Sequence, residues 1–288
     1  MIDLTPDSWT AANRRQTLLD LGDWTRSALE EWLDGAKEVV HIGYAKHANT
    51  GDHLILRGEQ LLFESLGVTW HELPMTTFHI PERMRDLPLI FKGGGYLGDP
   101  GAWHYSKMSR WVLRQRSKVL LMGCSAYFNE VDPARWARTM RWSDTTIFCR
   151  DVMSLAILEE HFPGVAKLVP DSAYYASRAL RHQPGNKRVL LARSDRETGE
   201  AKLASRYPDV KDAVEWLEEG VNPGNVVDVI ASKLDQASWI ATDRLHVHVA
   251  AKLLGIPHDF LANSYHKNEG FYRTWSADDP LVTWVPVS

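Results

Sequence analysis

KVLLMGCSAYFNEVDPARWARTMRWSDTTIFCRDVMSLAILEEHF, residues 118–162, is the stretch whose reading decides the fold. Lys118–Ala126 is an almost unbroken apolar run of strand length, and Thr145–Cys149 is a second run rich in β-branched and aromatic residues. Between them, Pro133–Trp142 begins with a proline suited to a first helical turn. Met153–Phe162 then carries apolar residues at helical spacing. Strands that are apolar throughout, rather than at every second position, are buried on both faces. Alternation of such strands with helices predicts a parallel sheet covered on two sides.

The same alternation extends outward. Upstream, an amphipathic helix at Asp20–Leu33 precedes a strand at Val39–Tyr44. A helix follows at Asp52–Leu66, with Leu54, Ile55, Leu61, Leu62 and Leu66 on its apolar face. Val68–Leu73 and Pro88–Lys92 read as strands, His104–Arg116 as a helix, and Lys167–Val169 as a last short strand. The polar, Pro- and Gly-containing stretch Ser177–Lys187 interrupts the pattern as a linker would. Beyond it lie strand Arg188–Arg193, helices Val210–Glu219 and Val226–Gln236, strand Trp239–Thr242, helix Arg244–Leu254 and strand Ile256–Leu261. The expectation is an α/β protein of two Rossmann-like domains, 1–178 and 187–288, facing each other across a cleft, with a tail that packs back on the first domain.

Composition narrows the function. The 288 residues carry a net charge of −4, without the basic excess expected of a nucleic-acid partner. The two cysteines, Cys124 and Cys149, sit in apolar strands and read as buried and reduced rather than as a disulfide or zinc site. The polar N-terminus has no apolar segment of a signal peptide, and no run approaches the roughly 20 apolar residues of a membrane span. A cytoplasmic protein is expected. Of the 12 tryptophans, Trp9, Trp24 and Trp32 flank the opening helix, which either packs them inward or offers a peripheral membrane contact.

In open parallel sheets ligands bind at the carboxyl ends of strands, so the loops there are the places to look. Four stand out. YAKHANTGDH, residues 44–53, brings small residues and an N-cap after the first strand, as a turn or a ligand contact. GGGYLGD, residues 93–99, has three glycines that serve either a tight turn or a backbone cradle for an anion. CRDVMS places Arg150 at a strand end and Asp151 at a helix start, where the arginine either grips an oxyanion or pairs with an acid. Finally, ATDRLHVHVAAKLLGIP, residues 241–257, sets Arg244 and His246 at the start of an apolar helix, whose first N–H groups and dipole favour anions. His246 and His248 form an H-x-H pair, but residues two apart on a helix point roughly 200° apart and cannot share one metal ion. No metal ligand set is legible.

Asn49–Asp52 (NTGD), Gly93–Gly95, Arg150–Ser154 (RDxxS), Asp171 after a strand, and Asp243–His246 (DRLH) followed by Gly255–Pro257 (GIP) occur in this order. Together they resemble the polysaccharide pyruvyl transferase family, and the tail Asn263–Tyr272 (NSYHKNEGFY) is similar to its bacterial exopolysaccharide ketal-forming branch. The resemblance implies a GT-B-like pair of domains and transfer of the pyruvyl group of phosphoenolpyruvate onto two sugar hydroxyls, making a cyclic ketal and releasing phosphate. It implies that Arg150, Arg244 and His246 bind phosphoenolpyruvate and act in catalysis, with Leu245, Gly93, Gly94 and Gly95 at the donor. Asn49, Gly51, Asp52, Tyr96, Asp171, Asn263, Tyr265 and Lys267 become candidates for the cleft and the acceptor. Phosphoenolpyruvate is then a co-substrate, no further cofactor is called for, and the acceptor is a saccharide, on family grounds a lipid-linked one at the inner face of the cytoplasmic membrane. Two other readings of the same cleft stay open: a nucleotide-sugar glycosyltransferase and a non-catalytic anion- or saccharide-binding module.

Overall fold

The structure is a computed structural model that describes residues 4–43, 47–75, 81–99, 108, 112, 115–140, 144–181, 183, 185–193, 206–210 and 212–286. Two wholly parallel sheets organise it. The first is built from β1 (Glu38–Ile42), β2 (Thr69–Leu73), β3 (Leu89–Phe91), β4 (Gly94–Gly98), β5 (Val119–Tyr127), β6 (Thr145–Cys149) and β7 (Ala166–Leu168). Its order is β2-β1-β3-β5-β6-β7, with β4 pairing separately to the outer part of β5. The second contains β8 (Lys187–Leu191), β9 (Asp212–Ala213), β10 (Ala237–Thr242), β11 (His258–Leu261) and β12 (Val282–Val285), in the order β12-β11-β10-β8-β9.

Both orders reverse direction at one point. In the first sheet the second strand goes to one side of β1 and the third to the other; in the second sheet β9 and β10 flank β8 in the same way. At such a switch point the loops leave in opposite directions and open a crevice at the carboxyl ends of the strands. Two crevices therefore exist, one above β1 and β3 and one above β8 and β10. The protein is an α/β fold of two Rossmann-like units, as the alternation predicts.

Helices among the described residues include α1 (Arg14–Leu33), α2 (Thr50–Leu66), α3 (Pro133–Met140), α4 (Val152–His161), α5 (Val226–Lys233), α6 (Leu245–Leu254) and α7 (Lys267–Trp275). Central strands are buried along their length, β5 from Val119 to Ala126. Cys124 and Cys149 face each other across β5 and β6, unbonded and buried, and burial pushes the Cys124 thiol up to about 12. α1 joins the two cores: Leu18 and Leu21 pack with the second sheet's core, Leu29 and Leu33 with the first's. Trp9 is buried, and Trp24 meets Trp275 edge to face at 5.6 Å, so both are packing residues. Among the described residues, no helix is long and apolar enough to cross a membrane.

The helix expected at Val210–Glu219 is not formed. Val210, Val214 and Leu217 have helical spacing, but Asp212 and Ala213 pair with Val189 and Leu190 as β9. The chain runs on to Leu217, which bridges antiparallel to Asn49 of the first unit. Sheet pairing and contact between units here override a local period. The tail also holds two elements that the strand and helix pattern does not reveal, α7 and the edge strand β12. The helix expected at His104–Arg116 lies almost wholly outside the described residues, as do 44–46 of the first loop. α7 packs on the first unit: Thr274 Oγ1 accepts the Val152 amide at 3.0 Å, and Trp275 Nε1 donates to the Arg150 carbonyl at 2.7 Å.

Candidate active site

Asn49 caps α2 through its side-chain oxygen, which accepts the Gly51 amide at 3.1 Å, while its Nδ2 donates to Asp52 at 2.8 Å. Asp52 also receives Lys92 Nζ at 3.1 Å, at the end of β3. Burial works to raise the Asp52 pKa, but Lys92, His47 and His246 outweigh it and hold the carboxyl well below the usual range. The first switch point therefore keeps a carboxylate already neutralised by Lys92.

The glycine run divides by role. The Gly93 amide donates to Glu59 Oε1 at 2.8 Å, and the other oxygen of Glu59 meets His41 Nε2 at 2.9 Å, both acid and imidazole being fully buried. Gly93 thus points into the fold. Gly94 and Gly95 open β4, and it is Gly95 that reaches the crevice. A Cβ there would lie 3.2 Å from the Tyr265 hydroxyl, 3.3 Å from Lys267 Cδ and 3.4 Å from Arg150 Nη2. Tyr96 faces back, its hydroxyl donating to the Lys92 carbonyl.

Arg150, at the end of β6, is about as buried as an arginine can be, at 1% exposure. Its Nε donates to Ser125 Oγ at 2.9 Å and its Nη1 to Asp171 Oδ2 at 2.8 Å. Asp151 takes the other duty, capping α4 by accepting the amide and hydroxyl of Ser154 at 2.7 and 2.8 Å. The RDxxS motif therefore fixes one strand end twice over, and it leaves Nη2 as the edge of the guanidinium nearest Gly95.

Asp171 caps a 3₁₀ turn, Ser172–Arg178, and also faces His246. His246 Nε2 is 3.5 Å from Asp171 Oδ2. Burial alone would raise the Asp171 pKa; His246 and Arg150 hold it below the carboxylate range. Burial lowers the pKa of His246, and Asp171 opposes this only in part, which favours the neutral imidazole. The opposite edge of the ring meets Gly51, where a Cβ would lie 2.8 Å from His246 Nδ1. Gly51 is thus a close-approach glycine, the residue by which α2 admits the histidine.

Arg244 precedes α6 in extended conformation, its Nε donating to the Ala192 carbonyl at 2.8 Å and its Nη2 lying 3.6 Å from Glu215. His248, two residues beyond His246, bonds instead to His258 at 2.7 Å and Ser276 at 3.0 Å, inside the second core. The two histidines of the H-x-H pair face different parts of the molecule.

These groups meet in a cavity of about 150 Å³. From the first unit it is lined by Asn49, Asp52, Gly95 and Arg150; from the second, Arg244, Leu245, His246 and Lys267 complete it. Arg193 and Trp216 also line it, and neither was singled out in the sequence. Arg193 ends the expected strand 188–193, so the strand-end rule that selects Arg150 selects it too. Trp216 lies in the segment whose apolar spacing suggests a helix. The Trp216 carbonyl accepts from Thr50 Oγ1, and the Glu218 amide donates to the Ala48 carbonyl at 2.8 Å, so this segment ties the second unit to the first loop.

Gly51 and Asp171 stand directly behind the lining, against His246. Tyr265 flanks it, tilted onto Tyr127 with ring centres 5.0 Å apart. Asn263 braces the turn into α7, its Oδ1 accepting the Asn268 amide at 3.4 Å. Gly93, Gly94 and Tyr96 are not among the lining residues.

The polysaccharide pyruvyl transferase profile matches residues 49–265, three quarters of the chain and every residue lining the cavity except Lys267. The chain belongs to the polysaccharide pyruvyl transferase family. Among similar members, EpsO of Bacillus subtilis (strain 168) is 22% identical over 90% of this chain and 92% of EpsO. Pyruvyl transferase 1 of Schizosaccharomyces pombe is 27% identical over 85% of this chain and 71% of the yeast protein. The crystal structure of KP1_0663 from Klebsiella pneumoniae subsp. pneumoniae NTUH-K2044 superposes with a TM-score of 0.68 at 19% identity, covering 93% of this pyruvyl transferase family member and 99% of that chain. That likeness speaks for the fold.

Proposed function

We infer that this protein transfers the pyruvyl group of phosphoenolpyruvate onto two hydroxyls of a saccharide, forming a cyclic ketal. The observation that carries this reading is the small cationic cavity at the paired switch points, with the Asp171–His246 pair in its wall. Arg150, Arg193, Arg244 and Lys267 face it, and the α6 N-terminus adds its dipole. A compact molecule bearing a carboxylate and a phosphate complements such a site. Its volume of about 150 Å³ lies below the roughly 300–1,000 Å³ of drug-sized pockets, which favours a three-carbon donor over a nucleotide sugar.

In this reading Arg150 and Arg244 hold the two anionic groups and stabilise charge on the departing phosphate. His246, in the cavity wall with Nε2 turned toward Asp171, is the acid–base residue. Protonation of the methylene carbon converts it to a methyl group and leaves positive charge at C2. A sugar hydroxyl bonds to C2 and gives up its proton; the C–O bond to phosphate breaks, with the electron pair leaving on phosphate. A second hydroxyl then adds, loses its proton and closes the ring. Two protons leave the hydroxyls, one is consumed at the methylene carbon and one departs with phosphate or solvent. A neutral imidazole takes up a hydroxyl proton as the oxygen bonds to C2, a contribution of about 10²–10⁴-fold.

The acceptor in this reading is a sugar of an exopolysaccharide repeat unit, lipid-linked and met at the cytoplasmic face of the membrane. The decisive experiment compares two variants by thermal protection and turnover. His246→Ala should abolish ketal formation yet still be protected by phosphoenolpyruvate, whereas Arg244→Ala should lose that protection. Near-normal turnover in His246→Ala refutes its catalytic role, and protection by a nucleotide sugar in place of phosphoenolpyruvate supports a glycosyltransferase.

A further inference from the structure

Away from the cleft, a second cavity of about 520 Å³ opens between the first turns of α1, the last turn of α6 and the chain at Leu180 and Arg181. Its size is that of a small-molecule site. Four cationic side chains line it, Arg14, Arg15, Arg181 and Lys252, and no acidic residue does so among the described residues. Most of the remaining wall is leucine, Leu18 and Leu19 from α1, Leu253 and Leu254 from α6, and Leu180 beside them, with Ala11 and Gly255 completing it.

The charges beneath this cavity do not balance. Asp279, buried below it, takes both terminal nitrogens of Arg14 at 2.8 and 2.6 Å and also faces Lys252 Nζ at 3.6 Å. One buried carboxylate thus serves two cations, of which Lys252 is fully buried. Lys252 makes up the rest with the Ser276 hydroxyl at 2.9 Å, the Trp275 carbonyl, and the Trp9 ring, 3.9 Å from its centre. Burial pushes the Lys252 ammonium down to about 7 against the pull of Asp279. Arg15 and Arg181, both exposed, add further positive charge at the walls. A cation-rich cavity with leucine walls complements a ligand that is anionic at one end and hydrocarbon at the other.

We propose that this cavity binds a single-chain anionic amphiphile, with its phosphate or carboxylate head among Arg14, Arg15, Arg181 and Lys252 and its alkyl chain along the leucines. The site is separate from the pyruvyl-transfer cavity and does not depend on that reading. Dodecyl phosphate, titrated calorimetrically below its micellar concentration into the full chain, tests it. Saturable one-to-one binding is expected, with dodecyl maltoside and inorganic phosphate each at least roughly tenfold weaker.

Arg15→Gln combined with Arg181→Gln removes two exposed charges without touching the buried pairs and should weaken binding roughly tenfold or more. Leu253→Trp, which fills the cavity, should do likewise; transfer to a soluble acceptor should be unchanged in both variants. No saturable binding, equal binding of the neutral amphiphile, or affinity indifferent to these substitutions overturns the proposal. So does association with phosphatidylglycerol vesicles in the absence of one-to-one dodecyl phosphate binding, which would assign the charge to a bilayer surface.

Discussion

Gly51→Ala is the most informative single-atom perturbation of the proposed chemistry, because it displaces His246 without removing a functional group. A Cβ at this position would lie 2.8 Å from both the Cβ and Nδ1 of His246 and 3.0 Å from its Cγ. Carbon contacts are comfortable at about 3.5–4.0 Å, so the imidazole has to retreat by roughly 0.7–1.2 Å. The ring has Asp171 on its other side, 3.5 Å away. Overpacking of this kind costs about 1–3 kcal/mol, and alanine returns up to ~1 kcal/mol as a better helix residue, leaving a net loss of ~0–2 kcal/mol. A misplacement near 1 Å at a reacting group costs about 100-fold in rate. Turnover followed by phosphate release should therefore fall by one to two orders of magnitude, while the KM for phosphoenolpyruvate changes little and the unfolding temperature drops by no more than about 8 °C. Wild-type kcat in a folded Gly51→Ala protein would refute the claim that the position of His246 sets the rate.

Asp171→Asn should be severe for two reasons, since it deprives Arg150 of a charged partner at 2.8 Å and His246 of its facing carboxylate. Leaving a buried charge unpaired costs about 3–5 kcal/mol, visible as a lowered unfolding temperature, and activity should fall further than stability explains. Arg150→Lys keeps the charge but cannot donate to both Ser125 and Asp171 while facing the cavity. Loss of a charged hydrogen bond, about 1.5–3 kcal/mol, should weaken phosphoenolpyruvate binding roughly 10- to 150-fold by calorimetry, and unchanged affinity would remove Arg150 from the donor site. His246, His248 and His258 all have folded-state pKa values below 6.5, with burial the leading cause, and that of His258 falls to about 4. The unfolded chain binds these protons more readily, so stability should decline as pH falls below 6.5, by about 1.4 kcal/mol per unit for His258 down to pH 4; a flat unfolding temperature between pH 7 and 5 contradicts this.

Most of the first sheet was legible because parallel strands buried on both faces are written as plain apolar runs. Arg150 and Arg244 were legible because both stand where strands end. What could not be read was set by distant partners. β4 starts with glycines and has no side-chain pattern to announce it. The segment around Trp216 has helical spacing, yet it is pulled straight by β8 on one side and by Asn49 on the other. Asp171 could be placed after a strand, but its bond to Arg150 depends on β6 and β7 lying side by side, and its contact with His246 on the second unit meeting the first. Gly93 is instructive in the opposite sense: its amide serves a buried glutamate, and of the three glycines only Gly95 lines the cavity.

The central claim is that the paired switch points hold a small doubly anionic donor, and calorimetric titration of the wild-type chain with phosphoenolpyruvate tests it most directly. The account predicts one-to-one binding that is lost in Arg244→Ala and retained in His246→Ala. Absence of phosphoenolpyruvate binding, together with saturable binding of a nucleotide sugar in the same cleft, would contradict it.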